Sequence, residues 1–271
     1  MRSVREGALT EWFAQQRDQL SVSVVGAWDP DSRFARSCEA EIFHRAFGNT
    51  VEDLEREHGK YDARSFYLFV TERGSGDAAG FMRITLPTSD GSSKSLDDIS
   101  KYWMVPQGEL RIHGMTLSEV GGVIDIATLG VTQPRQGSGR SGAVTLFLYQ
   151  ACVATLKVAG WGSAVAILDS RLYRALAREF ARPWTLFDGL EPLPYLGCPR
   201  AYPVVCVLKE WEARLAATEP AMKEVVCGCV DLPLMEEIAR VVKVIDERVP
   251  AAEIRLDPET TIVAPGIESG T

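Results

Sequence analysis

The run Val123–Val131 (VIDIATLGV) is followed by a basic, glycine-rich segment, Thr132–Gly142 (TQPRQGSGRSG), and then by an alanine-rich run, Ala143–Gly160 (AVTLFLYQACVATLKVAG). The first run is short, apolar and rich in β-branched residues, which predicts a strand; the third is long and apolar, which predicts a helix. Between them the small residues lead straight into the first helical turn, whose backbone N–H groups have no partner inside the helix. A strand, a small-residue turn and a helix N-terminus together make a seat for an anionic phosphate.

Downstream, SAVAILD (163–169) reads as a further strand and SRLYRALAREF (170–180) as a further helix. Strand and helix in alternation point to a layer in which neighbouring strands run parallel. YPVVCVL (202–208) reads as a last buried strand, and 208–218 and 232–249 as two helices, the second with Leu234, Ile238, Val241, Val242 and Ile245 on one side. The final fifteen or so residues carry no signal.

Upstream, residues 1–20 are helical in pattern and mixed in polarity, a leading arm rather than core. SVSVVGAW (21–28) alternates as a strand, and a helix follows to Gly48, with Phe34, Cys38, Ile42 and Ala46 recurring every fourth residue. A charged helix, VEDLEREHG (51–59), is expected to stop at Gly59. Two β-rich segments, 65–73 and 78–87, flank GSGD and predict a hairpin, so the sheet is mixed rather than all parallel. Residues 97–120 show one short helix and one short strand. The expected organisation is an α+β domain over 21–215, preceded by the helical arm 1–20 and followed by a helical extension and tail, 216–271, that is a candidate homodimer contact.

The 271 residues are 46% hydrophobic and 24% charged with a net charge of −8, which argues against a nucleic-acid backbone as partner. No apolar run approaches the roughly 20 residues of a spanning helix, and the N-terminus lacks a signal-peptide core, so a cytoplasmic protein without a membrane span is expected. The six cysteines, at 38, 152, 198, 206, 227 and 229, form no C-x-x-C pair and have no histidine close by, which suggests neither a metal site nor a disulfide framework.

Gly137-x-Gly139-x-x-Gly142 has the spacing of a dinucleotide-binding turn, with Asp169 as the ribose acid. Against that, five residues separate Val131 from Gly137, and Asp169 lies 32 positions after Gly137 where about 20 is usual. No Gly-Lys-Ser/Thr is present for a Walker loop.

Gln136-x-x-Gly139-x-Ser141 resembles the Gln/Arg-x-x-Gly-x-Gly/Ala loop of the Gcn5-related acetyltransferase superfamily, with Ser141 as a small-for-small departure. Leu172–Phe180 is similar to that superfamily's Leu-Tyr-x-x-Leu-Gly-Phe segment, with one residue extra. Tyr61-Asp62, Ala79–Thr88, Ser95–Ile99 and Asp125-x-Ala127-Thr128-Leu129-x-Val131 resemble, in order, landmarks of the autoinducer synthases and the related N-acyl amino acid synthases, over roughly residues 38–208. Thr128 stands where the homoserine-lactone makers have Arg, and their N-terminal pattern is diluted to HRAFG, so a plain N-acyltransferase relative fits better than a quorum-signal synthase.

The resemblance implies an acyl-CoA N-acyltransferase fold, with a central twisted mixed sheet flanked by helices. It also implies direct attack of an amine, from a small molecule or a peptide, on a thioester. The donor would be acyl-CoA or an acyl-carrier protein, with no tightly bound cofactor and no metal. Leu129, Gly130 and Val131 would meet the thioester and pantetheine; Arg135, Gln136, Gly137, Ser138, Gly139, Arg140 and Ser141 would hold the pyrophosphate. Tyr173 would protonate the departing thiolate. Independently of any family, Asp125 is the one carboxylate in an apolar strand, and desolvation there raises a carboxyl pKa toward general-base duty. The structural alternative is an ion pair with Arg83 or another cation. Arg83 is also a candidate substrate-binding residue and Glu119 a second base, while Tyr173 could equally be a core tyrosine. His44 and His58 fall in helical surface patterns, and His113 belongs near the cleft; all three read as structural. The other function classes are a non-catalytic module that binds CoA or a nucleotide-like ligand and, third, a dinucleotide enzyme.

Overall fold

A computed structural model describes residues 6–88, 91–132, 139–228 and 232–249. In chain order the elements are α1 (Glu6–Gln19), β1 (Leu20–Gly26), α2 (Ser32–Phe47), α3 (Val51–His58), β2 (Ser65–Glu72), β3 (Ala78–Thr85), α4 (Lys94–Tyr102), β4 (Arg111–Ile112), β5 (Met115–Thr116), β6 (Val123–Val131), α5 (Gly139–Ala159), β7 (Ser163–Asp169), α6 (Ser170–Glu179), β8 (Thr185–Leu186), β9 (Leu193–Tyr195), β10 (Cys198–Val207), α7 (Leu208–Thr218), α8 (Pro220–Lys223) and α9 (Leu232–Arg248). The main sheet runs β1-β2-β3-β6-β7-β10-β8, with β9 on β10, while β4 and β5 form a small hairpin of their own. All pairings are antiparallel except β6 with β7. The α+β class and the mixed central sheet are therefore as the sequence implies, but the parallel layer is a single pair. A doubly wound dinucleotide fold needs a run of parallel strands, and this topology excludes it.

Alternation along the strands divides the core. Phe66, Leu68 and Val70 of β2 point to the face covered by α5, and Tyr67 and Phe69 to the face covered by α2. Helix α5 is buried around most of its circumference, between the sheet and α1, α7 and α9, which is why its sequence is apolar on all sides. By length and composition its span Gly142–Ala159 could cross a membrane, but most of it is enclosed in this core. It lies so close to β3 that a Cβ on Gly80 would come within 2.5 Å of Val144. The other face carries α2 over β2 and β3, and α4 with β4 over β6, β7 and β10.

Several sequence expectations shift by local physics. Leu9 and Phe13 of α1 are buried in the main core, so the N-terminal helix is packed structure rather than a loose arm. Helix α9 sends Leu234, Ile238, Val241 and Ile245 into that same core, so no boundary falls in the core at residue 216. On α2 the buried face is Ser32, Ala35, Glu39 and Ala40, one position round from the expected stripe; Phe34 and Ala46 are exposed. Gly59 does not stop the chain: it keeps a right-handed helical backbone, φ −54°, and continues into a 3-10 turn to Arg64.

Candidate active site

The parallel ladder between β6 and β7 is short. Val123 pairs with Ser163, Ile124 with Ala164 and Asp125 with Val165, and there it ends. Beyond that point β6 continues to Val131 paired as a strand with β3, and β7 continues to Asp169 paired as a strand with β10. The middle of the sheet thus opens between Ile126–Val131 and Ala166–Asp169, with two backbone edges facing a gap. A register shift against β3 explains the opening. Arg83 faces Thr128 while the next residue, Ile84, faces Ile126, so Ala127 is an extra residue that bends β6 away from its neighbour. Ala127 and Leu129–Val131 are accordingly half-exposed, although β6 is a central strand.

Helix α5 follows β6 on one side of this opening, and α6 follows β7 on the other. Arg135, Gln136, Gly137 and Ser138 lie outside the described residues. Gly139, Arg140 and Ser141 form the first turn of α5, and their side chains are likewise outside the description. A Cβ on Gly130 would lie 2.6 Å from Ile42 Cδ1, the tip of a side chain of α2. The close approach is by the helix packed on that face. Tyr173, in the first half of α6, is half-buried with its ring stacked on Tyr202 of β10, centroids 4.4 Å apart and planes 14° apart.

Asp125 sits at the last rung before the sheet opens and is fully buried. It is not paired with Arg83. Its two oxygens accept from the backbone N–H and the hydroxyl of Ser95, each at 2.6 Å. Ser95 stands in the first turn of α4, so the carboxylate caps a helix N-terminus from a neighbouring strand, where free N–H groups favour negative charge. Burial still dominates and pushes the carboxyl up to about 6, against the Ser95 bonds and the nearby Lys94, which pull it down. Lys94, also buried, is engaged by Asp98, by Glu57 at 3.1 Å and by the Tyr195 hydroxyl at 3.1 Å.

Arg83 belongs to a second cluster, on the α2 face of β3. Its guanidinium binds Glu39 at 3.2 Å and Asp62, with weaker contacts to the Ser65 hydroxyl and the His58 carbonyl. The other Glu39 oxygen accepts from Thr128 of β6, and Arg36 closes on Asp62 at 3.1 Å. His58 is only 4% exposed, contrary to its surface-like pattern. Burial, aided by the charges of Arg83 and Lys94, holds its pKa well below the usual histidine value and keeps it neutral. Glu39 was missed in the sequence and His58 was placed on a helix surface there; the signal for their burial was their spacing, Ala35 to Glu39 and Leu54 to His58, four residues along a buried helix face.

Glu119 is not brought to these groups. It is exposed and caps its own turn, accepting from the Thr116 N–H at 2.7 Å and hydroxyl at 2.8 Å, bonds that lower its pKa. It precedes β6 at the end opposite Val131, and the eight steps from Val123 to Val131, at about 3.3 Å each, span about 26 Å. His113 is exposed in a tight turn with φ 51° and contacts Glu210, and His44 is exposed on α2. Among the described residues no group of His, Cys, Asp and Glu could hold a metal ion.

The architecture is the fold of the Gcn5-related acyltransferases. It is similar to that of the AHL synthase LasI, at 14% sequence identity and a TM-score of 0.53, over 79% of this chain and 97% of that one. It is also similar to FeeM, an N-acyl amino acid synthase from uncultured soil microbes, at 10% identity and a TM-score of 0.52, over 73% of this chain and 96% of that one. No protein-family model matches the sequence, and no curated protein matches it either. At these identities the likeness is one of fold.

Proposed function

We propose that the chain is an N-acyltransferase that moves an acyl group from a thioester, carried by CoA or an acyl-carrier protein, to the amine of a small molecule or peptide. The observation that carries this reading is the opened sheet between β6 and β7, where the last residues of β6 pair as a strand with β3 alone, next to the N-terminus of the helix that follows. A pantetheine arm is a string of amides that such an edge can pair like a missing strand. The first turn of α5, with Gly139, Arg140 and Ser141, and the preceding Arg135, Gln136, Gly137 and Ser138 would receive the pyrophosphate.

Direct attack needs a neutral amine, an oriented thioester carbonyl, donors for the oxyanion and a proton for the thiolate. Backbone N–H groups of Leu129, Gly130 and Val131 would serve the carbonyl and its oxyanion. Tyr173 would supply the proton; it stands four residues beyond the free end of β7. Asp125 would act through α4, fixing the strand at the point where the ladder ends, since both of its oxygens are already occupied by Ser95. The described geometry offers Glu119 no part. The enclosed Asp125 also favours a second reading, a CoA-binding module without turnover. A cytoplasmic location, where acyl thioesters are made, suits the reaction, and the C-terminal extension, 216–271, would be the homodimer contact.

The test is a panel of acyl-CoA and acyl-carrier thioesters with amine acceptors, read by release of free thiol. Turnover is expected with wild type, and Tyr173→Phe should slow it about 100-fold or more with little change in CoA affinity. CoA binding without any thiol release would favour the binding module, and no binding of either donor would remove both readings.

A further inference from the structure

On the α2 face of the sheet lies a cavity of about 40 Å³ walled by Arg36, Glu39, Glu55, His58, Asp62 and Arg83. That is room for about three water-sized groups. Its charges do not cancel: three carboxylates stand against two guanidiniums, and His58 is neutral, which leaves one negative charge. Both arginines are already bridged to carboxylates, Arg83 to Glu39 and Asp62, and Arg36 to Asp62. The uncompensated member is Glu55, which is exposed and, among the described residues, has no ion-pair partner. His58 adds an independent sign that something is missing. It is buried against the cavity, and its Nδ1 has no hydrogen-bond partner, a deficit that native interiors rarely leave unfilled.

We infer that this cavity is the acceptor seat and takes the primary ammonium head of a small monocationic amine, bonded to Glu55 and to the His58 imidazole, while Glu39 and Asp62, each already bonded on both oxygens, supply negative charge around it. An ammonium group supplies three donors and no acceptor, and what the cavity offers is carboxylate oxygens and an imidazole that can accept. A ligand carboxylate would add a second negative charge and would have to displace Glu39 or Asp62 from an arginine. A neutral alcohol would leave the charge uncompensated. The seat is coupled to the donor cleft through one bond, from Thr128 to Glu39: Thr128 is the neighbour of Leu129 on β6, so an amine next to Glu39 lies beside the strand proposed to carry the thioester. The assignment of the seat to an acceptor rests on the acyltransferase reading, in which the ammonium would first give one proton to Glu55, whose exposed carboxylate passes it to solvent, and the neutral amine would then attack; the ligand chemistry of the cavity does not rest on it.

Isothermal titration of the full chain at pH 7 and low salt, without donor, separates the possibilities with n-hexylamine, n-hexanol and hexanoate as probes. Hexylamine is expected to bind at least ten-fold more tightly than hexanol, and hexanoate more weakly than either. Glu55→Gln, a change at an exposed side chain that the fold does not need, should weaken hexylamine three- to ten-fold and leave CoA binding unchanged. Hexylamine binding no tighter than hexanol, a preference for hexanoate, or an unaltered affinity in Glu55→Gln overturns the inference. CoA titrated into the same samples tells the two readings apart. CoA binding without an ammonium preference removes the seat and keeps the acyltransferase; an ammonium preference without binding of any CoA or carrier species does the reverse.

Discussion

Arg83 and Asp125 stand on adjacent strands of one sheet, both almost completely buried, and they are satisfied in different ways. Asp125 is answered by a helix end: the first turn of α4 delivers a backbone N–H and a hydroxyl to its two oxygens, and the side chain is fully buried. Arg83 is answered by side-chain ions from α2 and from the turn after α3, and that arrangement leaves a cavity and an unpartnered imidazole nitrogen beside it. Backbone donors are held rigidly by the helix that carries them, so a site capped by them closes. Ion pairs between long side chains on separate elements satisfy charge without filling volume. The first arrangement builds the frame of the opened sheet, and the second leaves room for a ligand.

The largest expected effect breaks the second region. Arg83→Ala would leave Glu39 and Asp62 facing each other with little compensation, and it should cost about 3–5 kcal/mol in urea denaturation. A loss below 1 kcal/mol would mean that the cluster is hydrated and that the contrast with Asp125 is not real.

The next effect is a pH dependence that belongs to Asp125. Its carboxyl is raised from 3.8 to about 6, so its contribution to stability is fully present below 3.8 and is lost as pH rises through about 6. The span corresponds to about 3 kcal/mol at most. His58 works in the opposite direction, because its depressed pKa takes stability away as pH falls below the usual histidine range. Comparing Asp125→Asn with wild type at pH 4.5 and pH 7 isolates the first effect: the variant should lose ground to wild type at the lower pH. Parallel curves for the two proteins would place Asp125 in a wetter site than the one described.

Two hydroxyl deletions give the smallest and sharpest comparison. Ser95→Ala removes one of the two donors to a fully buried carboxylate and should cost about 2 kcal/mol. Thr128→Val removes a donor to Glu39, which keeps Arg83, and should cost about 1 kcal/mol. The reverse order would show that the Arg83 cluster is the more tightly held of the two.

Much of the frame was legible in the sequence. The strand Val123–Val131, the helix that ends at Ala159, the hairpin of Ser65–Thr85 and the two last long helices follow from hydrophobic period and turn residues, which are local properties. Asp125 was recognisable as the one carboxylate in an apolar strand, and Tyr61-Asp62 and the segment that holds Arg83 through the family resemblance. Their partners were not. Asp125 was open to pairing with Arg83, yet it bonds to Ser95, 30 residues earlier in the chain, and Arg83 bonds to Glu39, 44 residues away. Which donor meets which acceptor depends on how α2 and α4 are laid on the sheet, and no periodicity encodes that.

What the sequence determined by itself is the main strands and helices, because those depend on side-chain period and backbone freedom within a dozen residues. Only the tertiary structure decided that the sheet opens after Asp125, because the opening comes from one extra residue, Ala127, set against a strand more than 40 positions earlier. Only the tertiary structure put His58 and Glu39 inside, because burial is a property of two surfaces meeting. The sheet's opening and the cavity beside it both arise from contacts between distant segments, and that is where the chemistry of this protein has to be sought.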